Sequence, residues 1–381
     1  MSEMIYYDHA ATTPVHPRVV EAMLPYFTQV FGNPSSVHGY GRRARQAIEQ
    51  AREEIAALLA VDPKSLIFTA GGTEADNTAI IGTALALREK GRHLITSQVE
   101  HHAVLHACQH LQKMGFDVTY LPVDETGMVR LPDLEAAIRP DTILVSIMYG
   151  NNEVGTIQPI EEIGAFLRER GILFHTDAVQ AFGVLPLRIG DLPVDMLSVS
   201  AHKINGPKGV GALYLRPGFP FTPLLHGGNQ ERKRRAGTEN LAGIVGFAEA
   251  AKIAASERAE RVEKYRQIRD ALLSAWAQEG ISFAVNGHPT RVLPHILNVS
   301  FLGIDTETML MNLDLAQVAA SSGSACTSGS LEISHVLKAM KLPEERTRSA
   351  VRFSFGITNT LEEAADAASR VAQIVKRLTR A

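Results

Sequence analysis

Between residues 66 and 215 the chain alternates short apolar runs with longer amphipathic ones, and this rhythm constrains the fold more than any other feature. Strand-like runs fall at 66–69, 93–96, 116–120, 142–147, 172–175, 195–199 and 210–215. Helical stretches fall at 74–90, 101–114, 131–138 and 159–170, between most of them. Gly91, Gly115 and Gly171 follow three of these helices, where a left-handed C-cap residue is expected. Strands joined through helices predict a mostly parallel sheet covered on both faces. Ligands of such sheets bind at the carboxyl ends of the strands. The polar clusters lie there: 70–73, 149–153, Asp177 and 200–203 each follow a strand.

Upstream, residues 1–40 read as irregular and rich in small polar groups. Ala44, Ala47, Ile48, Ala51, Ile55, Leu58 and Leu59 then mark one face of a helix. Downstream, 239–280 reads as long-helical, with a highly charged connecting part over 256–269. The pattern restarts with a strand at 296–301, a helix at 305–314, a Ser/Gly loop, a strand at 350–354 and a last helix at 361–379. The expected division is a large domain over 15–255 and a smaller α+β domain built from 1–14 and 256–381, which carries the loop 321–330.

Composition narrows the function classes. With 45% hydrophobic and 21% charged residues the 381-residue chain looks like an ordinary globular protein. A net charge of −3 gives no general pull toward nucleic acid or acidic membranes. The first residues have neither the basic start nor the apolar core of a signal peptide, and no apolar run approaches the roughly 18 residues of a membrane span. Cys108 and Cys326 give no disulfide framework, so a reducing cytoplasm is expected.

Several constellations can carry chemistry, and each has a plainer alternative. Ser200, His202, Lys203 and Lys208 sit in a glycine-rich turn between two strands. A lysine fixed beside a desolvated pocket can lose its proton and attack a carbonyl, whereas the plain reading is a polar hairpin with solvated lysines. Gly72 and Thr73 lie between a strand and a helix, as an anion site or as a plain N-cap. Asp177 at a strand end can hold a proton on a pyridine-type nitrogen, with Gln180 on the same face of the next turn; it could equally be an N-cap. His102, His106 and His110 share a helix face that reads as solvated, while His101 stands at the helix start, where a site histidine would be. Cys108 reads as core. Cys326 is the one thiol in the small-residue loop 321–330, either a nucleophile or an accident of a linker. Arg352 in a strand could clamp a carboxylate or form a surface ion pair. The basic run 232–235 is a solvated loop, or in a dimer borders the neighbour's site.

Taken in order, these motifs resemble those of the cysteine desulfurases of the class V aminotransferase family. The resemblance runs through Tyr7-Asp-His-Ala-Ala-Thr-Thr-Pro14, Gly32-Asn-Pro-Ser-Ser36, Thr69-Ala-Gly-Gly-Thr-Glu-Ala-Asp-Asn77, Glu100-His-His-Ala-Val-Leu105, Asn151-Asn-Glu-Val-Gly155, His175-Thr-Asp-Ala-Val-Gln180, His202-Lys-Ile-Asn-Gly-Pro-Lys-Gly209 and Arg235-Ala-Gly-Thr-Glu239. The segment Ser321-Ser-Gly-Ser-Ala-Cys-Thr-Ser328 is similar to the long cysteine loop of the NifS/IscS-like group.

The resemblance implies the aspartate aminotransferase-like fold of pyridoxal-phosphate-dependent transferases, with a mostly parallel mixed sheet in the large domain and a smaller α+β domain. It implies pyridoxal 5′-phosphate as cofactor and no metal. Lys203 would hold the cofactor, Asp177 would bond its pyridinium nitrogen, Gln180 its phenolic oxygen, and His101 would stack on the ring and assist proton transfer. Gly72, Thr73, Ser200 and His202 would hold the phosphate, joined by Thr238 from the partner subunit of a homodimer. Arg352, Asn152 and Asn33 would hold the carboxylate of L-cysteine, with Asn152 also near the cofactor. Cys326 would take the sulfur as a persulfide and pass it to an acceptor protein, an iron–sulfur scaffold or a tRNA-thiolation enzyme. Housekeeping members usually carry a scaffold-docking tail, whereas this chain stops at Ala381 directly after its last expected helix, which leaves both acceptors open. A selenocysteine lyase or a small-amino-acid aminotransferase of the same fold would keep Lys203 and Asp177 without needing Cys326.

Overall fold

The computed structural model describes residues 4–323 and 333–379; Cys326 and the rest of 324–332 lie outside the described residues. In chain order the strands are β1 (Ile5–Tyr6), β2 (Leu66–Thr69), β3 (His93–Ser97), β4 (Asp117–Leu121), β5 (Thr142–Ser146), β6 (Leu173–Asp177), β7 (Met196–Ser200), β8 (Gly211–Leu215), β9 (Phe283–Asn286), β10 (Ile296–Phe301), β11 (Val318–Ala319) and β12 (Ala350–Ser354). Seven of them form one sheet in the order β2-β8-β7-β6-β5-β3-β4. Only β8 runs against the rest, so the sheet is mixed but mostly parallel, as the alternation predicts.

The central strands are buried along their whole length, which is why their sequences are continuous apolar runs rather than alternating ones. Neighbouring residues point to opposite faces. Leu94, Leu144 and Leu213 pack with Ala79, Ile80, Val104 and Cys108 of the helices Gly72–Leu87 and His102–Lys113. Ile95, Val145, Phe174 and Val199 pack on the other face with the helices Gly39–Leu59, Ile160–Glu169 and Leu241–Ser256.

Three local expectations change. Gly115 and Gly171 take the left-handed conformation, with φ of 86° and 65°, but Gly91 does not. A Cβ on Gly91 would lie 2.3 Å from the Asp141 carbonyl oxygen, so this glycine serves close backbone approach instead of a cap. The first 40 residues are not wholly irregular: Pro17–Met23 is a helix, started by a His16 cap and a proline at its first turn, and it docks on Leu241–Ser256. The long-helical stretch is two helices, Leu241–Ser256 and Arg258–Gln278, separated at Glu257.

A second core forms beside the large sheet. β10 pairs antiparallel with β9 and β12, and Trp276, Phe301 and Phe353 stack edge-on or tilted behind them. The last helix, Leu361–Thr379, closes this core with Ala364, Ala368, Val371 and Val375. Ile5 and Tyr7 also belong to it, because β1 pairs with β11. β9 and the short helices His335–Ala339 and Glu344–Arg348 had no clear sequence pattern. Val336, Leu337 and Met340 of this region pack into the core of the large sheet. No helix among the described residues is long and apolar enough to cross a membrane.

The edge strand β2 is covered by a buried ion pair. Arg52 grips Glu231 through two hydrogen bonds, of 2.8 and 2.6 Å, and its Nη1 also donates to the Leu66 carbonyl. Glu231 in turn accepts the Phe68 N–H, and the chain at Glu231, Arg232 and Lys233 is left-handed. Arg52→Leu leaves the buried Glu231 carboxylate without its two-bonded partner. The expected loss is about 3–5 kcal/mol, read as a lower thermal midpoint; an unchanged midpoint contradicts the pairing.

Candidate active site

β2, β3, β5, β6 and β7 all end at one edge of the sheet, and the loops that leave them meet there. The result is a cavity of about 350 Å³. Gly72, Thr73, His101, Asn152, Asp177, Gln180, Ser200, His202, Lys203 and Arg352 all line it, so residues from five strand ends and from the second core converge. Asn33 and Thr238 are exposed and are not among its lining residues.

The Lys203 amine lies at the turn after β7 and donates to the Ala10 and Ala11 carbonyls, at 2.5 and 2.8 Å. Ala10 O also accepts from Gln180 Nε2 at 2.9 Å, and Gln180 Oε1 pairs with His295 Nε2 at 3.2 Å. The amide of Gln180 is thereby fixed on both sides. The segment holding Ala10 is itself tied down: Ala10 N–H donates to Ser354 Oγ, and Thr13 Oγ1 to the His202 carbonyl. On sequence grounds this segment had no role of its own; its Asp8 and paired threonines were visible only as part of a motif.

Asp177 ends β6 fully inside the protein and accepts the Val179 N–H at 2.9 Å. Burial pushes its carboxyl up to about 6, against the Val179 N–H and the Lys203 charge, which favour the anion. Asp177 thus makes the local bond to the backbone two residues on that a capping aspartate makes, although turns rather than a helix follow it, and it also lines the cavity. Behind it His175 bridges Ser146 Oγ (2.8 Å) and Ser198 Oγ (3.0 Å).

The turn after β2 starts a helix at the edge of the cavity. Gly71, not Thr73, caps the helix Gly72–Leu87; its φ is 152°, which favours glycine. A Cβ on Gly72 would lie 2.7 Å from Val179 Cγ2, so the backbone there approaches its neighbour closely. Thr73 remains exposed toward the same opening that Ser200, His202 and Lys208 border. Ser200 Oγ is buried and has no hydrogen-bond partner among the described residues. A helix start with a hydroxyl waiting beside it suits a bound anion.

Both site histidines are held neutral. Burial, reinforced by the Lys203 charge, lowers His101 and His202 to about 4. His101 Nδ1 accepts the Ala103 N–H at 3.1 Å, which places the neutral ring's proton on Nε2. One of the three aligned histidines differs from the solvated face expected: His102 is half-buried against the His335 ring, 4.7 Å between centroids, and against His106, while His106 and His110 are exposed.

Arg352 is buried rather than on the surface. Nη2 pairs with Asp8 Oδ1 at 2.8 Å, Nη1 donates to the Asn152 carbonyl at 2.9 Å, and Nε has no partner among the described residues. Its guanidinium lines the cavity, and a guanidinium is a group that can pair with a carboxylate.

Sequence reasoning missed Glu100. It is fully buried, accepts from Ser97 Oγ at 2.6 Å and from the Met148 N–H at 3.0 and 3.1 Å, and so binds the loop after β3 to the loop after β5. Its only sequence signal is a carboxylate directly after a buried strand. Burial raises it to about 8, with Asp177 adding in the same direction. The folded state therefore holds a proton that the unfolded state releases near 4.5, and this contribution falls as pH rises from about 4.5 to about 8. Glu100→Gln removes that slope. The stability advantage of the natural protein over the variant should shrink between pH 5 and 8; an advantage that grows with pH contradicts it.

The family model described as Aminotransferase class-V matches residues 5–366. A curated relative named putative cysteine desulfurase IscS 1, from Bacillus subtilis (strain 168), is 54% identical over 99% of this chain and 100% of its own. Among solved structures, a NifS-like protein shares 38% identity and a TM-score of 0.93 over 98% of this chain and 100% of that one. A structure titled SspA in complex with cysteine shares 39% identity and a TM-score of 0.82 over 92% of this chain and 98% of that one. The ordered motifs, the mixed sheet and the cavity at its strand ends agree with these likenesses, and the chain belongs to the class V aminotransferase family.

Proposed function

We propose that the protein is a cysteine desulfurase, which uses pyridoxal 5′-phosphate to remove sulfur from L-cysteine, giving L-alanine and a persulfide on Cys326. The observation that carries this reading is one cavity that brings together an amine, a carboxylate, an anion cradle and a buried guanidinium: Lys203, Asp177, the Gly72–Thr73–Ser200 corner and Arg352. The unpartnered Ser200 Oγ and the glycine-lined helix start fit a phosphate, and the buried Asp177 fits a protonated ring nitrogen. When bound, the cofactor supplies an electron-withdrawing ring that makes the α-proton of cysteine acidic and its sulfur electrophilic.

The chain's residues then divide the work. Lys203 would hold the cofactor and would carry the α-proton of the substrate. His101 lines the cavity, would stack on the cofactor ring and, being neutral, would exchange a proton with the reacting atoms. Gln180 is oriented by Ala10 and His295 to meet the phenolic oxygen. Arg352 binds the substrate carboxylate beside Asn152, with Asp8 holding the guanidinium in the wall. The Cys326 thiolate attacks the substrate sulfur; the S–S bond forms as the C–S bond breaks, and the carbon is protonated to leave alanine. Because Cys326 must act as a thiol, a reducing compartment such as the cytoplasm suits it.

A homodimer is part of the reading. Leu24, Phe27, Phe31, Val37 and Tyr40 are each at least half exposed within one short stretch, a larger apolar display than a lone protein usually keeps. Thr238 and Asn33, which do not line the cavity of their own chain, would then serve a neighbour's site. The persulfide passes to a sulfur-acceptor protein of iron–sulfur cluster assembly or tRNA thiolation.

Lys203→Ala should lower turnover by about 10²–10⁴-fold and abolish the visible absorption of the loaded protein. Cys326→Ser should keep that absorption and still bind cysteine but release no sulfide. Sustained sulfide release by the serine variant excludes Cys326 as the sulfur acceptor.

A further inference from the structure

Two carboxyl groups, not one, stand at the floor of the cavity. Asp76 comes from the second turn of the helix Gly72–Leu87 and lines the same cavity as Asp177. It is 1% exposed. Its carboxyl faces Asp177 and Ser198, and its Oδ1 makes no hydrogen bond among the described residues; the nearest cation-forming group is His175 Nε2, 3.6 Å away. That histidine is fully buried and held neutral, lowered to about 3.

Two carboxylates in contact inside a protein do not both ionise. The surroundings decide which one keeps the charge. Asp177 has the Val179 N–H and the Lys203 ammonium in its favour. Among the described residues Asp76 has no cation beside it, and Glu100 bears on it as another acid. Ser198, also engaged with His175, hydrogen-bonds its carboxyl and favours the anion, but burial and the two other acids outweigh that one bond. These are the charged and titratable groups that bear on the pair: Asp177 at the end of β6, Glu100 after β3, Lys203 after β7 and His175 within β6.

We propose that Asp76 is a positioning residue that retains a proton and donates it in a hydrogen bond to Asp177, so that Asp177 meets the cofactor ring as an oriented carboxylate. The reading rests on the proposed cofactor chemistry for its purpose, but the location of the proton does not. Asp76 thus acts through Asp177 and touches no reacting atom. Its partner geometry explains why an acidic residue occupies an otherwise buried helix face, three residues after Thr73 on the cavity side.

The test reads the proton directly. In full-length, cofactor-free protein labelled with ¹³C at aspartate side-chain carboxyls, the infrared C=O stretch of a protonated aspartic acid is expected at pH 7. The label keeps the buried Glu100 out of that band. Asp76→Asn should remove the band and Asp177→Asn should leave it. A band absent from the natural protein, or one that survives Asp76→Asn and is lost in Asp177→Asn, overturns the assignment. Far-ultraviolet circular dichroism checks that each variant is folded; if Asp76→Asn does not fold, the natural protein and Asp177→Asn still decide the point. In the cofactor-loaded enzyme, Asp76→Leu should lower kcat for cysteine by about tenfold or more. Asp76→Asn, whose amide still donates to Asp177, should lower it less, with KM little changed in either. An asparagine variant as impaired as the leucine one contradicts the donor role. Failure of the natural protein to form alanine from cysteine would sink the desulfurase reading and leave the infrared result standing.

Discussion

The Ala10 carbonyl is the point on which the site depends. It accepts from Lys203 and from Gln180, two side chains that leave different strands of the large sheet. The same residue's N–H is held by Ser354 of the second core, and two residues earlier Asp8 pairs with Arg352. A short N-terminal segment thus fastens the amine and the guanidinium to one another's surroundings across two separately packed cores. The guanidinium of this ion pair is buried and its carboxylate half-buried, so the pair's worth lies less in net stability than in fixing where the guanidinium stands.

Burial then sets the charges. His101, His175, His202 and His295 are all driven to about 3 or 4 and are neutral at physiological pH. Neutral rings can stack, accept and donate without adding positive charge near Lys203. The acids are shifted the other way, which leaves Glu100 to fasten loops and sets Asp76 and Asp177 in competition for one proton. A cavity of this kind separates its roles by desolvation more than by surface electrostatics.

Much of this was legible beforehand. Strand–helix alternation forecast the sheet because buried parallel strands must be apolar along their length, and the rule that ligands gather at strand ends placed Gly72, Thr73, Asp177, Ser200 and Lys203 together. Arg352 was harder, since a lone arginine in a strand has no periodicity that separates burial from exposure. The interplay of Asp8, Ala10 and Gln180 was not legible, because backbone carbonyls carry no sequence signal and their partners lie more than 150 residues away. Asp76 and Glu100 were hidden by the same cause: an acid next to a motif reads as solvated until the fold buries it. Pro17–Met23 was lost to its short length, and β9 to weak alternation.

The claim that joins these parts is that Lys203 and Cys326 act on one cysteine molecule. A single-turnover reaction of the loaded protein with L-cysteine, without any keto acid, measures it most directly, by mass spectrometry of the Cys326 peptide and quantitation of alanine. The account predicts one added sulfur on Cys326 and an equal amount of alanine. Alanine without the added sulfur, or added sulfur without alanine, would contradict it.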